Sequence, residues 1–271
     1  MIYQTFAPPQ ILQPYVRYFW ALELEVGNGD SYTHRTMACG CPELVFHYKG
    51  AFEPADGSAA DKSPALFHAQ SSSYRRFTTM ESFGIFGAFI YPFAVPRLFG
   101  QSAAATSNCM IGLANLLGSK GRMLEEQMML ANNNSQRLQI LCGFLEKKLV
   151  NPPAEQHPVI EAIKYIVHTN EFITVNELSG QFNLSARQLE RRFNDFAGFS
   201  PKFFNRLARF EKALAKYPKL PGTSLTGIAY DCGYYDQSHF IHDFKQFSGY
   251  HPKQYFSGNF EGHEYKDEAA D

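Results

Sequence analysis

RRFNDFAGFSPKFF, residues Arg191 to Phe204, returns as HDFKQFSGYHPKQY, His242 to Tyr255. The spacing is a constant 51 residues: Phe193 falls on Phe244, Phe196 on Phe247, Gly198 on Gly249, Pro201 on Pro252 and Lys202 on Lys253. Each copy closes a unit of short helix, tight turn and second helix. In the first unit these are Val175–Gln181 capped by Thr174, the turn Asn183-Leu184, and a helix from a Ser185 cap to about Phe196. In the second they are Gly227–Asp231 restarted by Ser224, a break at Gly233, and a helix from an Asp236 cap to about Phe247. Ser, Thr and Asp suit these starts because their side-chain oxygens accept from the free N–H groups of a first helical turn. The upstream helices align at 50 (Leu178 with Ile228) and the downstream ones at 51, so the second turn is one residue longer. Between the units, Ser200-Pro201 opens a longer helix through Arg206, Phe210 and Leu214 to about Lys216, ended by Pro218 and Pro221. Pro252 begins a last short helix, and Val159–His168 is an amphipathic helix ahead of both units.

Paired helices of this length can place a second, recognition helix in the major groove. They can equally build repeat folds or plain bundles. The second helix of each unit has two faces. Leu189, Phe193 and Phe196, and then Phe240, Phe244 and Phe247, lie at i, i+4, i+7 and form the inward stripe. The outward positions are Arg187, Glu190, Arg191 and Asn194, then Gln237, Ser238, Ile241, His242 and Lys245. Arg pairs bidentately with guanine, Gln does so with adenine, Glu accepts from cytosine, and Ile packs on a thymine methyl. Two such helices on one connector could enter successive major grooves, about 34 Å apart. The pattern is then written twice because one chain reads two half-sites.

These residues resemble the AraC/XylS-type transcription regulators. That family's signature IAxxxGFxDQSHFxRxFKxxxGxTPxxYR stands here as Ile228-Ala229, Gly233-Tyr234, Asp236-Gln237-Ser238-His239-Phe240, Phe244-Lys245, Gly249 and Pro252. The resemblance spans about a hundred residues and implies a seven-helix domain whose base contacts come from the outward positions just named. His242 stands where the family often has Arg, and His251 where it has Thr. A His there makes a weaker, pH-dependent contact. The resemblance further implies double-stranded DNA as partner, RNA polymerase as well if the chain activates, as the family does more often, and a bacterial, nucleoid-associated cytoplasmic setting.

Ahead of this lies a different kind of sequence. Tyr15–Val26, Glu43–Tyr48 and Ile85–Tyr91 are β-branched and aromatic runs, with NGDSYT, EPADGSAADKSP and QSSS as turns or loops between them. Arg122–Ala131 and Ser135–Val150 carry helical periods, the second with a stripe of Leu138, Leu141, Leu145 and Leu149 and Ser135 as its cap. Pieces such as VRYFW, CPELVFH and GIFGAF are similar to the small cupin-like barrel sensor of one branch of the same family. That implies an unknown small-molecule effector held among inward aromatics, and a possible homodimer through Ser135–Val150; intramolecular packing of the Leu stripe is the alternative. The expected fold class is α+β and multidomain: residues 1–150 a β-rich cupin-like barrel with helices, 151–157 a Pro-rich linker, 158–258 an all-α double helix–turn–helix domain, and 259–271 an acidic, disordered tail.

Charge sets a limit. The chain nets −1 over 271 residues, and residues 155–258 net only +2, so bulk charge does not announce nucleic acid. No apolar run reaches the length of a membrane span, no secretion signal opens the chain, and five cysteines fit a reducing compartment. His34, Cys39, Cys41, His47 and His68 raise a metal reading, but Cys39-Gly40-Cys41 is C-x-C rather than a zinc-finger spacing. No metal or other cofactor is therefore expected. Cys109, Cys142 and Cys232 read as packed thiols, and no G-x-S-x-G, P-loop or H-E-x-x-H motif points to catalysis. The competing reading is a cupin-type metal enzyme fused to a DNA-targeting module.

Overall fold

The computed structural model of the protein describes residues 1–58, 61–149, 157–169, 173–216, 224–258 and 261. The N-terminal part is built on β1 (Ile2–Phe6), β2 (Val16–Leu24), β3 (Tyr32–Thr36), β4 (Glu43–Lys49), β5 (Glu53–Pro54), β6 (Ala65–His68), β7 (Arg75–Thr79), β8 (Phe83–Ile90) and β9 (Met110–Gly112). Six of these form an antiparallel sheet in the order β1-β2-β8-β4-β6-β9, and the other three a second sheet in the order β3-β7-β5. The β-rich N-terminal part is as expected, and its strands form two sheets that do not close into one barrel. The central strand β8, FGIFGAFI, is buried along nearly its whole length. Gly87 in that strand makes room for Trp20 of β2: a Cβ there would stand 2.4 Å from the indole.

The long apolar strands were readable from sequence; β1, β3, β5, β6, β7 and β9 were not. β3 (YTHRT) and β7 (RRFTT) are five-residue, polar strands with no clean alternation, and the first begins inside NGDSYT, read as a turn. Short strands of this kind are fixed by pairing partners far along the chain rather than by local preference.

Five helices follow: α1 (Val95–Phe99), α2 (Ala103–Thr106), α3 (Leu113–Leu117), α4 (Ser119–Leu130) and α5 (Asn134–Lys148). Asn133, not Ser135, caps α5, its side chain accepting from Gln136 N–H at 2.9 Å. The Leu stripe of α5 is spent inside this part of the chain. Leu141 and Leu145 are fully buried in the same cluster as Phe46, Phe67 and Phe86, with Leu138 and Leu149 packed against it. Of the two readings of that stripe, packing within its own domain is the one observed.

The C-terminal part is helical: α6 (Pro158–His168), α7 (Val175–Gln181), α8 (Ala186–Ala197), α9 (Pro201–Lys216), α10 (Leu225–Asp231), α11 (Gln237–Ser248) and α12 (Pro252–Phe256). Every cap expected there is used: Thr174 and Ser185 form reciprocal boxes with Glu177 and Gln188, Ser224 accepts from Gly227 N–H, and Asp236 from His239 N–H. Pro218 and Pro221, the expected end of α9, lie outside the described residues, as do 151–156 of the expected linker. His157, assigned to that linker, caps α6. Of the expected disordered tail, residues 259–260 and 262–271 lie outside the described residues. Glu261 departs from that reading: it pairs with Arg35 at 2.9 Å and Arg76 at 2.7 Å.

Three histidines in the N-terminal part carry a pH consequence. Burial holds His34 and His47 neutral down to about pH 4 and His68 to about pH 3, with neighbouring positive groups adding to the effect on His34 and His68. In the unfolded chain each takes up a proton near pH 6.5. Between those values the unfolded state binds more protons, so stability present above pH 6.5 is lost as pH falls toward 4. Thermal melts from pH 7 to pH 4 are expected to show this decline, and His47→Phe is expected to flatten it by about one proton.

Candidate nucleic-acid interface

The two helix–turn–helix units share their turn bonds as well as their sequence. In the first, Leu184 N–H donates to Ser179 O at 2.9 Å and Asn183 N–H to Gly180 O at 3.3 Å. In the second, Tyr234 N–H donates to Ala229 O at 3.0 Å and Gly233 N–H to Tyr230 O at 2.9 Å. Both turns need a left-handed residue, supplied by Asn183 (φ 52°) and Gly233 (φ 76°); Asn and Gly are the residues that tolerate it. The extra residue of the second turn is Tyr235, inserted before the Asp236 cap and 84% exposed. It was legible in the shift from 50 to 51 but carries no motif of its own. Its ring stands edge-on to His239, 6.3 Å away.

The inward stripe is as expected except at Phe196, which is half-buried beside His157. Leu189, Phe193, Phe240, Phe244 and Phe247 are completely buried. On α8, Arg187, Glu190, Arg191 and Asn194 are all exposed, joined by Arg192, which the sequence reading did not single out. On α11, Ser238, His242 and Lys245 are exposed while Gln237 and Ile241 are half-buried. The Gln237 side-chain oxygen accepts from the Thr226 hydroxyl at 2.9 Å, which ties it to α10. His242 lies 3.5 Å from Asp243, whose carboxylate is buried and held by Arg206 at 2.7 Å. Arg206 also donates to Gln246 and lies over Phe203 and Phe247, so this cluster fixes α11 on the connector α9.

The back ends of both outward-facing helices are held by the N-terminal part. The C-terminal carbonyls of a helix lack intrahelical donors. At α8, Ser107 donates to Gly198 O at 2.7 Å and the Gln70 amide to Ala197 O at 3.4 Å. At α11, Ala38 N–H donates to Phe247 O at 2.9 Å and Arg35 to Ser248 O at 3.1 Å. Gly198 and Gly249, equivalent in the repeat, both adopt left-handed caps (φ 79° and 75°). A Cβ at either would strike this junction, 1.8 Å from Gln70 Nε2 and 2.5 Å from Arg35 Nη1. Gly40 N–H donates to Glu211 of α9 at 3.1 Å. Arg35 is the centre of the contact, 7% exposed, stacked on Tyr250 at 3.8 Å and near Tyr74 at 5.0 Å. Arg35→Ala is expected to weaken the junction by about 2 kcal/mol, the worth of a charged hydrogen bond with a buried cation–π contact. Hydrogen exchange at the Ala38 amide would rise while the cores of the two parts keep their protection; unchanged exchange there would contradict this role.

Among the described residues no group of three or more His, Cys, Asp or Glu side chains is arranged to hold a metal ion. No helix among them is long and apolar enough to cross a membrane.

Residues 178–258 match the family described as "Helix-turn-helix domain". Residues 4–111 match a separate family described as a domain of unknown function, DUF6597. No curated protein sequence matches the chain. Among solved structures, ToxT from Vibrio cholerae is similar at 13% identity, over 95% of this chain and 98% of that one, with a TM-score of 0.48. The DNA-binding domain of AdpA, in complex with a target DNA, is similar at 22% identity over 38% of this chain and 93% of that one, with a TM-score of 0.35. The C-terminal domain of AraT, a response regulator from Geobacillus stearothermophilus, is 26% identical over 42% of this chain and 96% of that one, with a TM-score of 0.36. The C-terminal part of the chain is a helix–turn–helix domain of the AraC type.

Proposed function

We propose that this AraC-type chain is a sequence-specific transcription regulator that reads two adjacent major-groove half-sites, one with α8 and one with α11, under the control of an effector acting through residues 1–150. The observation that carries the reading is the duplicated unit. Two turns with the same hydrogen bonds lead into two helices that bury Phe at equivalent positions and leave polar side chains outside. Arg187, Glu190, Arg191 and Asn194 serve one half-site; Gln237, Ser238, Ile241, His242 and Lys245 serve the other. The α8 face holds more positive charge, so it supplies more of the affinity, while His242 gives α11 a weaker hold.

Control by the N-terminal part is supported by the junction. Arg35, Ala38, Gln70 and Ser107 grip the trailing ends of both reading helices. A shift in β3 or in the loop after β6 therefore reaches both readers together.

The test is recovery of bound duplexes from the sheared genome of the host, with purified full-length protein near 0.15 M salt. Enrichment of a few intergenic fragments is the expected result, and uniform recovery of all fragments would overturn the reading. Against an enriched fragment, Arg191→Ala is expected to cost about 1–3 kcal/mol and relax preference at one base pair. Lys245→Ala is expected to weaken all sequences alike and lower the salt slope by about 1. Equal effects on specific and random duplexes for Arg191→Ala would remove it from base reading.

A further inference from the structure

Between the two sheets of the N-terminal part lies a cavity of about 570 Å³, counted out to its mouth. Its flat walls are aromatic: Trp20 seated on Gly87, Phe52 and Phe77. Three imidazoles share the space, with the His47 ring 5.5 Å and the His34 ring 6.4 Å from Phe52. His47 Nδ1 and His68 Nε2 are buried without a hydrogen-bond partner among the described residues. Buried polar atoms in that state are rare in folded proteins and call for a partner.

We propose that this cavity is a binding site for an uncharged, hydroxyl-bearing aromatic molecule of the phenol class. The charge of the lining decides against ions. Among the described residues no Lys or Arg lines the cavity, and Arg75, which faces His68, belongs to the adjoining cleft. Burial keeps the three imidazoles neutral at pH 7. An anion would thus enter an apolar site with two lining carboxylates, Glu43 and Asp61, and no counter-charge. A cation would find the Asp61 carboxylate already accepting from Gly112 N–H at 2.9 Å and from Asn115 at 3.2 Å. A neutral ring buries its faces against Trp20 and Phe52. Its hydroxyl can donate to one imidazole nitrogen and accept from another, which are the two roles a neutral imidazole offers.

The position of the site gives it a consequence that rests on the regulator reading above. His34 and Thr36 line the cavity on either side of Arg35, and His68 lies two residues before Gln70. Arg35 and Gln70 are among the residues that hold the ends of α11 and α8. An occupant presses on the strands that grip both readers.

Trp20 is the one tryptophan of the chain, so intrinsic fluorescence reports on this cavity directly. Full-length protein is titrated with 4-ethylphenol, 4-ethylbenzoate, 4-ethylbenzylamine and ethylbenzene, with calorimetry alongside. The expected result is a saturable change with 4-ethylphenol and a dissociation constant about tenfold below those of the other three. His47→Phe and His68→Phe are expected to erase the advantage of the phenol over ethylbenzene. Tighter binding of the benzoate or the amine, equal binding of phenol and ethylbenzene, or no response to any probe would overturn the proposal, and none of these needs a variant that folds. DNA affinity measured with and without saturating 4-ethylphenol separates the two claims. A change supports both; bound phenol with unchanged DNA affinity upholds the site and removes effector control from the proposed function.

Discussion

Phe244→Ala is expected to destabilise the C-terminal domain by about 3–5 kcal/mol, at the upper end of that range. Phe244 is completely buried, and its ring meets Phe210 at 5.3 Å, Phe240 at 5.6 Å, Tyr255 at 5.4 Å and Phe256 at 5.3 Å. A void among so many rigid rings cannot collapse, so the cavity cost adds in full to the lost burial. Its equivalent, Phe193, is as deeply buried and packs edge-on to Phe204 at 5.5 Å. Phe193→Ala is expected to cost less, toward the lower end. Urea unfolding of the two variants checks the order; a Phe244→Ala loss under about 2 kcal/mol would show that the α11 unit is not packed as described.

The second large effect is at Arg206. Removing one partner of a buried ion pair leaves the other uncompensated, at a cost of about 3–5 kcal/mol. Arg206 is one-quarter exposed while Asp243 is 8% exposed, so water screens the orphaned carboxylate in part, and Arg206→Ala is expected at about 3 kcal/mol. Because the same guanidinium holds Gln246 and covers Phe247, the loss concentrates where α11 meets α9. Binding to the α11 half-site is expected to fall more than binding to the α8 half-site. The double replacement Arg206→Met with Asp243→Leu removes both charges and is expected to recover most of the stability. Failure of the double variant to recover would mean the pair contributes through shape rather than through charge.

The C-terminal helices were legible because their signals are local. Ser, Thr and Asp stand one residue before the starts of α7 to α11, Pro201 and Pro252 sit at first helical positions, and Gly198 and Gly249 follow the ends. Each of these acts within one helical turn, and the repeat checked one unit against the other. The N-terminal sheets depend on partners tens of residues away: β3 pairs with β7 and β4 with β8, across loops that sequence alone does not span. The α5 stripe shows the same limit. Helical spacing at Leu138, Leu141, Leu145 and Leu149 announced a covered face, and only the fold identifies the cover as the chain's own sheet. The outward positions of α8, and Ser238, His242 and Lys245 of α11, were legible as exposed, but the half-burial of Gln237 and Ile241, the bond from Thr226 to Gln237 and the grip of Arg35 and Gln70 on the helix ends were not. Those contacts join segments with no shared pattern in the sequence.

The proposal is that one chain reads DNA twice. Selection of bound duplexes from a random library, by the full-length protein near 0.15 M salt, tests it most directly. The expected motif has two short blocks about 10 bp apart, one helical turn, with the block read by α11 weakened when Ser238 and His242 are replaced by alanine. A single block unaffected by those replacements would contradict it, and would reduce α11 to a structural copy of α8.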